Sequence, residues 1–234
     1  MALHAVLRRD PPCCSITHTE AVEDYLKTVF QLSTRSGAVT TSAVAARLGL
    51  TAPTVSAMLK RLEAADLVDR SRDHQVELTE HGTQHAVGVV RRHRLLEMFL
   101  VAVLDVPWDE VHEEAEVLEH VLSSRLEERI DVLLGHPTHD PHGDPIPPPS
   151  GQHVEDWASP LAAAPAGSAF LVERVSDRDS AALRHLASLG IGPGTVLRRL
   201  EWAPFGGPLW VEVDGQRHAL GTGLVQVVHG RTVR

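Results

Sequence analysis

Hydrophobic positions keep a helical period over roughly the first two thirds of the chain and shift to alternation near its end. Val22, Leu26, Val29 and Phe30 mark a helix opening at about His18. Thr19 is its N-cap, and Glu20 and Glu23 sit near the positive end of its dipole. Asp24 points away from the apolar stripe, a surface acid on periodicity alone. A short helix through Leu48, which Ser42 can cap, ends in a turn at Gly49. Thr51 then caps a second helix, with Pro53 in its first turn. Val55, Leu59 and Leu62 face inward there, leaving Pro53, Thr54, Ser56, Ala57, Lys60 and Arg61 outward. That is the layout of a helix-turn-helix whose second helix enters the major groove, although a plain helical hairpin shows the same pattern. The next segments favour DNA. Residues 67–72 and 75–79 read as a two-stranded wing carrying Arg70 and Arg72, and Thr79 caps a long helix running to about Leu104. Helix-turn-helix, wing and helix together predict a winged-helix domain.

The long helix carries His93 and Glu97, four apart and so on one face. A further helix has its apolar stripe at Val111, Ala115, Leu118 and Leu122. His112, Glu116, Glu119 and His120 fall within an arc of roughly 100° beside that stripe. A single Glu on such a face is an ordinary solvated acid. Several imidazoles and carboxylates converging beside a core are the donor set of a divalent transition metal. A third amphipathic helix covers residues 123–134, and apolar faces on three successive helices point to a dimer interface. The loop 136–147 is stiff and proline-rich; its His136, His139 and His142 are candidate ligands, but a structural role is favoured in such a loop.

Residues 148–166 are rich in Pro, Ala and Ser and read as a linker. Beyond it come a strand at 171–175, a short helix at 180–189, and strands at 196–200, 209–213, 216–220 and 225–228, the makings of a small β-barrel. Gly206-Gly207 marks a hairpin and not a phosphate loop, since no lysine follows and no helix opens there.

Charge changes this picture only when it is divided along the chain. The net formal charge is −9 over 234 residues, which taken whole argues against a DNA-binding protein. Residues 91–150 hold 5 basic and 13 acidic groups, so −8 of it sits in the segment with the ligand cluster. Carboxylates packed that densely repel, and a bound cation relieves the repulsion. No run approaches a membrane span, and the N-terminus has no signal-peptide core, so a cytoplasmic location is expected. Cys13 and Cys14, adjacent and beside prolines, make a poor disulfide framework and a weak metal site.

Taken in order, several motifs resemble the diphtheria toxin repressor family of iron- and manganese-dependent transcription regulators. They are Thr19-Glu…Tyr25-Leu-Lys-Thr, Pro53-Thr-Val-Ser, His93-Arg-Leu-Leu-Glu97, His112 to His120, and Pro141-His-Gly-Asp-Pro-Ile-Pro147. The resemblance implies a mainly α chain with a small β part. A disordered extension (1–18) precedes a winged helix-turn-helix (19–88), a helical metal-binding dimerisation domain (89–147), the linker (148–166) and a Src-homology-like small β-barrel (167–234). It also implies one metal site from Asp24, Glu116, Glu119 and His120, and an ancillary site from His93, Glu97 and His112, with Asp179 as a further acid. The iron-responsive branch places Met and Cys where Asp24 and Glu116 stand, and carboxylates there favour a harder ion such as manganese(II). Some manganese-type members have a Glu where this chain has Lys27, and some have another polar ligand where it has Ala182. The expected function is therefore a manganese(II)-activated homodimeric repressor on palindromic operator DNA, controlling metal-uptake genes. Iron(II) is the alternative effector. A metallohydrolase with Glu113 or Glu114 as base is a remote alternative.

Overall fold

A computed structural model describes residues 16–17, 19–36, 38–70, 75–151 and 158–233. The N-terminal extension with Cys13 and Cys14, and Arg72 with the rest of the wing tip, lie outside the described residues. The chain divides into two compact units: residues 1–93, 117–133 and 147–155 form one, and residues 94–116, 134–146 and 156–234 the other.

The first unit is built on α1 (Glu20–Ser36), α2 (Thr41–Leu48) and α3 (Ala52–Ala64), followed by the two-residue strands β1 (Val68–Asp69) and β2 (Glu77–Leu78). Thr19 caps α1, its hydroxyl 3.4 Å from the Val22 amide. Helix α2 is capped by Thr40 and not by Ser42. Thr40 is the extended residue whose hydroxyl reaches the Ala43 amide, and Ser42 already lies inside the helix. Gly49, at φ 66°, ends α2 in the left-handed region, where a side chain is strained. The sequence-derived stripes form one core: Val22, Leu26 and Val29 meet Val44, Val55, Leu59 and Leu62, all at 1% exposure or less. β1 and β2 pair antiparallel, Val68 opposite Leu78, giving the short wing. Helix α4 (Glu80–Leu104) then runs for 25 residues. Arg91 on α4 reaches Glu127 and Asp131 of α6 (Ser124–Leu133), and donates to the Pro147 carbonyl.

Helix α5 (Val111–Leu118) stops short of the expected span, leaving Glu119 and His120 in the turn that follows. The Glu119 carbonyl, which would have accepted the next helical bond, takes the Arg92 guanidinium instead at 2.9 Å.

The second unit ends in a six-stranded antiparallel sheet ordered β3-β8-β4-β5-β6-β7. Its elements are β3 (Ser159–Pro160), β4 (Ala169–Val175), α7 (Ser180–Ser188), β5 (Val196–Trp202), β6 (Leu209–Val213), β7 (Gln216–Leu220), α8 (Thr222–Val227) and β8 (Val228–Val233). Two expectations are corrected. Part of the supposed linker is sheet: Ser159 and Pro160 pair with β8, and Leu161 is fully buried in the core. A proline tolerates that position because an edge strand leaves its missing donor unneeded. Residues 222–227 are helical where a strand was expected at 225–228, since a run this short reads either way by periodicity. Val225 and Val228, three apart, both point into the core. Among the described residues no helix is long and apolar enough to cross a membrane.

Candidate metal centres and nucleic-acid interface

In the first unit, α1 brings Asp24 to the turn after α5. Ligand atoms of Asp24, Glu119 and His120 lie within 4.8 Å of one another. Glu119 is fully buried and His120 nearly so, while Asp24 remains about one third exposed and opens the cluster to solvent. Glu23 accepts from His120 Nδ1 at 2.7 Å, which turns Nε2 toward Asp24 (3.1 Å) and Glu119 (3.5 Å). A carboxylate behind an imidazole is the arrangement that orients a histidine for a metal. The Glu119 carboxylate is divided between His93 Nδ1 and Lys27 Nζ, each at 2.6 Å. Burial alone would lower the His120 pKa. Hydrogen bonds with Asp24 and Glu23 and the charge of Glu119 overcome it and raise the value to about 9.

In the second unit, Glu97 on α4 is fully buried beside four other candidate ligands. His112 Nδ1 lies 3.2 Å from Glu97 Oε1 and 3.2 Å from Asp177 Oδ2. His142 Nδ1 stands 3.7 Å from Glu97 Oε2, an ion-pair distance beyond hydrogen-bond reach. Glu97, Asp140 and His142 also place ligand atoms within 4.8 Å of one another. His142 Nε2 donates to the Trp108 carbonyl at 2.7 Å, so Nδ1 offers Glu97 either a lone pair or a second proton. Asp140 Oδ1 accepts from the amides of His142 and Asp144, but Asp140 Oδ2 and His142 Nδ1 have no hydrogen-bond partner among the described residues. Buried polar atoms in that condition are costly unless an ion or water meets them, so this donor set also fits a cation. The loop is fastened by Arg94, which donates to the Pro145 carbonyl, and by the Arg174–Asp144 ion pair. Gly143, at φ 87°, is required because a side chain there would run into the Glu173 carbonyl.

Charge balance in this second cluster comes from protons. Burial would lower His112, yet Asp177 and then Glu97 raise it to about 10. His142 rises to about 9 against the same opposing burial, through Glu97, Asp140 and Asp177. Burial would raise Asp177, but its hydrogen bond with His112 holds it below the usual carboxylate range. Asp140, desolvated and beside Glu97, is pushed well up.

Asp24, Glu119 and His120 assemble as anticipated, whereas the Glu116 carboxylate lies 3.6 Å from His112 Nε2. Glu97 and His112 come together, while His93 hydrogen-bonds Glu119. Asp179 is not beside His112: it caps α7, its Oδ1 accepting from the amides of Ala181 and Ala182, and Asp177 two residues earlier faces the cluster. His142, for which a structural role was favoured over ligation, is fully buried against Glu97, whereas His136 and His139 are exposed. Sequence reasoning missed Asp140 and Asp177; the signal available for Asp140 was its pairing with His142 inside a conformationally fixed Pro-Gly loop. Glu113 and Glu114, the remote hydrolytic bases, are exposed.

Pro53, Thr54, Ala57, Lys60 and Arg61 of α3 are exposed, and Ser56 and Arg70 are half-buried.

Family models match three successive segments of the chain. The N-terminal DNA-binding domain of iron-dependent repressors matches residues 17–76, their metal-binding and dimerisation domain residues 79–148, and the FeoA domain residues 159–231. The iron-dependent repressor IdeR of Mycobacterium tuberculosis is 41% identical over 128 residues, 55% of this chain and 56% of the relative. The diphtheria toxin repressor of Corynebacterium diphtheriae is 34% identical over 128 residues, 55% of this chain and 57% of its own length. The chain thus spans about half the length of the curated relatives it matches. A solved manganese-dependent transcriptional repressor in complex with manganese superposes with a TM-score of 0.84 at 42% identity, covering 91% of this chain and all (100%) of that one. The manganese regulator SloR follows at 0.74 and 34%, covering 93% of this chain and 100% of its own.

Proposed function

The chain belongs to the diphtheria toxin repressor family of metal-dependent transcriptional repressors, and from that premise we propose that it is a manganese(II)-activated, homodimeric repressor controlling metal-uptake genes. The observation that carries this reading is the donor set of Asp24, Glu119 and His120, two carboxylates and an imidazole held together in the DNA-binding unit, with Asp24 open to solvent. Oxygen donors suit manganese(II) better than thiolate or thioether would. We assign Glu97, His112 and Asp177 to an ancillary site, with Asp140 and His142 behind it.

When bound, a divalent cation supplies the positive charge that lets these carboxylates sit side by side. The protein's part is positional. Glu23 fixes the His120 ring, and α1, which carries Asp24, packs against α2 of the helix-turn-helix. Holding Asp24 therefore restrains the unit that presents α3. In a dimer two α3 helices must meet half-sites about 34 Å apart, or a multiple of that. Exposed Val117, Val121, Leu126, Val132 and Leu133 give the first unit an apolar patch suited to a second copy. On DNA, Thr54 and Ser56 reach phosphates or base edges, Pro53 and Ala57 meet thymine methyls, and Lys60, Arg61, Arg70 and Arg72 contact phosphates.

Iron(II) is the second reading, favoured by the iron-dependent repressors among the sequence relatives. Operator binding by chelator-stripped protein, resupplied with manganese(II) or, anaerobically, with iron(II), separates the two. Stripped protein that grips the operator as tightly as the manganese-supplied form overturns metal activation altogether.

A further inference from the structure

Two histidines outside both clusters face each other at the start of α4. His81 and His85, one helical turn apart, bring their Nε2 atoms to 3.1 Å, with ring centroids 4.8 Å apart and planes tilted by 58°. Both are half-buried, so solvent reaches them. Imidazole nitrogens bind zinc(II) at about 2.0–2.1 Å, which places two of them on one ion roughly 3.0–3.4 Å apart for bond angles between about 90° and 110°. The observed separation already lies in that interval.

The backbone beneath them is fixed. Thr79 donates its hydroxyl to the Asp66 carbonyl and its amide to the Leu67 carbonyl, and Gly82 donates to Thr79 Oγ1. A side chain at Gly82 would strike the Leu67 carbonyl, so the first turn of α4 lies tightly on the turn after α3. The two rings are thus presented by an anchored turn, which lowers the ordering cost of chelation. Only Thr79 separates α4 from the wing strand β2.

We propose that His81 and His85 form an additional metal site on the DNA-binding unit, taking a borderline divalent ion of the zinc(II), nickel(II) or copper(II) kind. An imidazole pair suits these ions, and manganese(II) stands lowest in affinity for nitrogen donors, so the site answers to a different metal from the carboxylate-rich centres. Without an ion, one ring carries the Nε2 proton and donates it to the other. On binding, that hydrogen bond gives way: its proton exchanges through solvent and both Nε2 lone pairs face the ion. The ion would cross-link the first turns of α4, directly after the wing.

The test counts metal on the full chain. Equilibrium dialysis against zinc(II), and separately against manganese(II), compares the wild type with His81→Gln and His85→Gln. The expected result is one additional zinc(II) per chain in the wild type relative to either variant. Manganese(II) stoichiometry and the helical circular dichroism should match in all three proteins. Equal zinc(II) stoichiometry in the three overturns the site and leaves a simple N–H···N hydrogen bond. A loss of manganese(II) alongside zinc(II) overturns it too, because the substitutions would then act through the other centres.

Discussion

In the first unit the central carboxylate, Glu119, is met by an ammonium: Lys27 Nζ lies 2.6 Å from it, and both groups are buried. In the second unit the central carboxylate, Glu97, is met by imidazoles, those of His112 and His142. Both clusters gather acids in places that burial makes expensive, but their balancing charges differ in kind. A lysine keeps its charge across the physiological range and has to be displaced bodily by an incoming ion. A histidine gives up a proton and stays as a ligand. The first centre therefore sets an ammonium competitor beside the proton that His120 must release, whereas the second resists a cation through protons alone.

Removing Glu119 should break the comparison most severely. Glu119→Gln takes away a predicted ligand and strands the Lys27 ammonium in a buried site, where loss of one partner of an ion pair costs about 3–5 kcal/mol. Manganese-dependent operator binding should vanish, and the melting temperature of the metal-free protein should fall, read by gel shift and by calorimetry. Operator binding that survives with its manganese dependence intact would remove Glu119 from the activating centre.

Lys27→Met tests the competitor itself. It should tighten manganese(II) binding at the first centre by roughly tenfold, about 1.4 kcal/mol, because no ammonium then contends for Glu119. Metal-free stability should drop, since Glu119 loses a counter-ion while keeping its burial. Isothermal titration on the wild type and the variant measures the first effect and thermal melting the second. Weaker binding in Lys27→Met would mean that the lysine assists the site.

The proton-balanced histidines give a prediction of opposite sign for the bare protein and for metal uptake. His112 and His142 have folded pKa values raised to about 10 and about 9. Their contribution to metal-free stability is therefore fully present below the ordinary histidine value of about 6.5 and is lost as pH rises toward 10. Metal affinity runs the other way, strengthening with pH, because each ligating imidazole must release its proton. Titrations at pH 7 in buffers of different ionisation enthalpy should show protons released, and the apparent affinity should rise up to about pH 9. Binding without proton release would contradict the charge balance described for the second centre.

Periodicity made the helices of the first unit and the recognition face of α3 readable, because each apolar stripe there packs against one core. The Asp24, Glu119 and His120 set was readable only through motif resemblance. On periodicity Asp24 is a surface acid, and its meeting with His120 joins distant segments that no local pattern connects. The second centre was half legible. Glu97 and His112 sit on helices, where spacing fixes direction, but Asp140 and His142 sit in a loop whose shape depends on Gly143 and on ion pairs with Arg94 and Arg174. A proline-rich stretch announces stiffness without saying which side chains it aims inward. Short apolar runs failed for a related reason, as at α8, where strand and helix share one pattern.

The smallest effect separates two aspartates that the sequence sets two positions apart. Asp179 holds the amides of Ala181 and Ala182 as the N-cap of α7, at 2.9 and 3.1 Å, so Asp179→Ala should cost about 1 kcal/mol of stability and leave metal binding unchanged. Asp177 lies 3.2 Å from His112 Nδ1 and shares its proton, so Asp177→Ala should weaken binding at the second centre and lower the His112 pKa toward its ordinary value. Histidine chemical shifts followed through a pH titration read the second effect without any metal present, and calorimetry reads the first. If Asp179→Ala shifted the His112 titration while Asp177→Ala left it in place, the assignments would be exchanged. The family expectation of the later acid as ligand would then replace the geometry seen in the loop before α7.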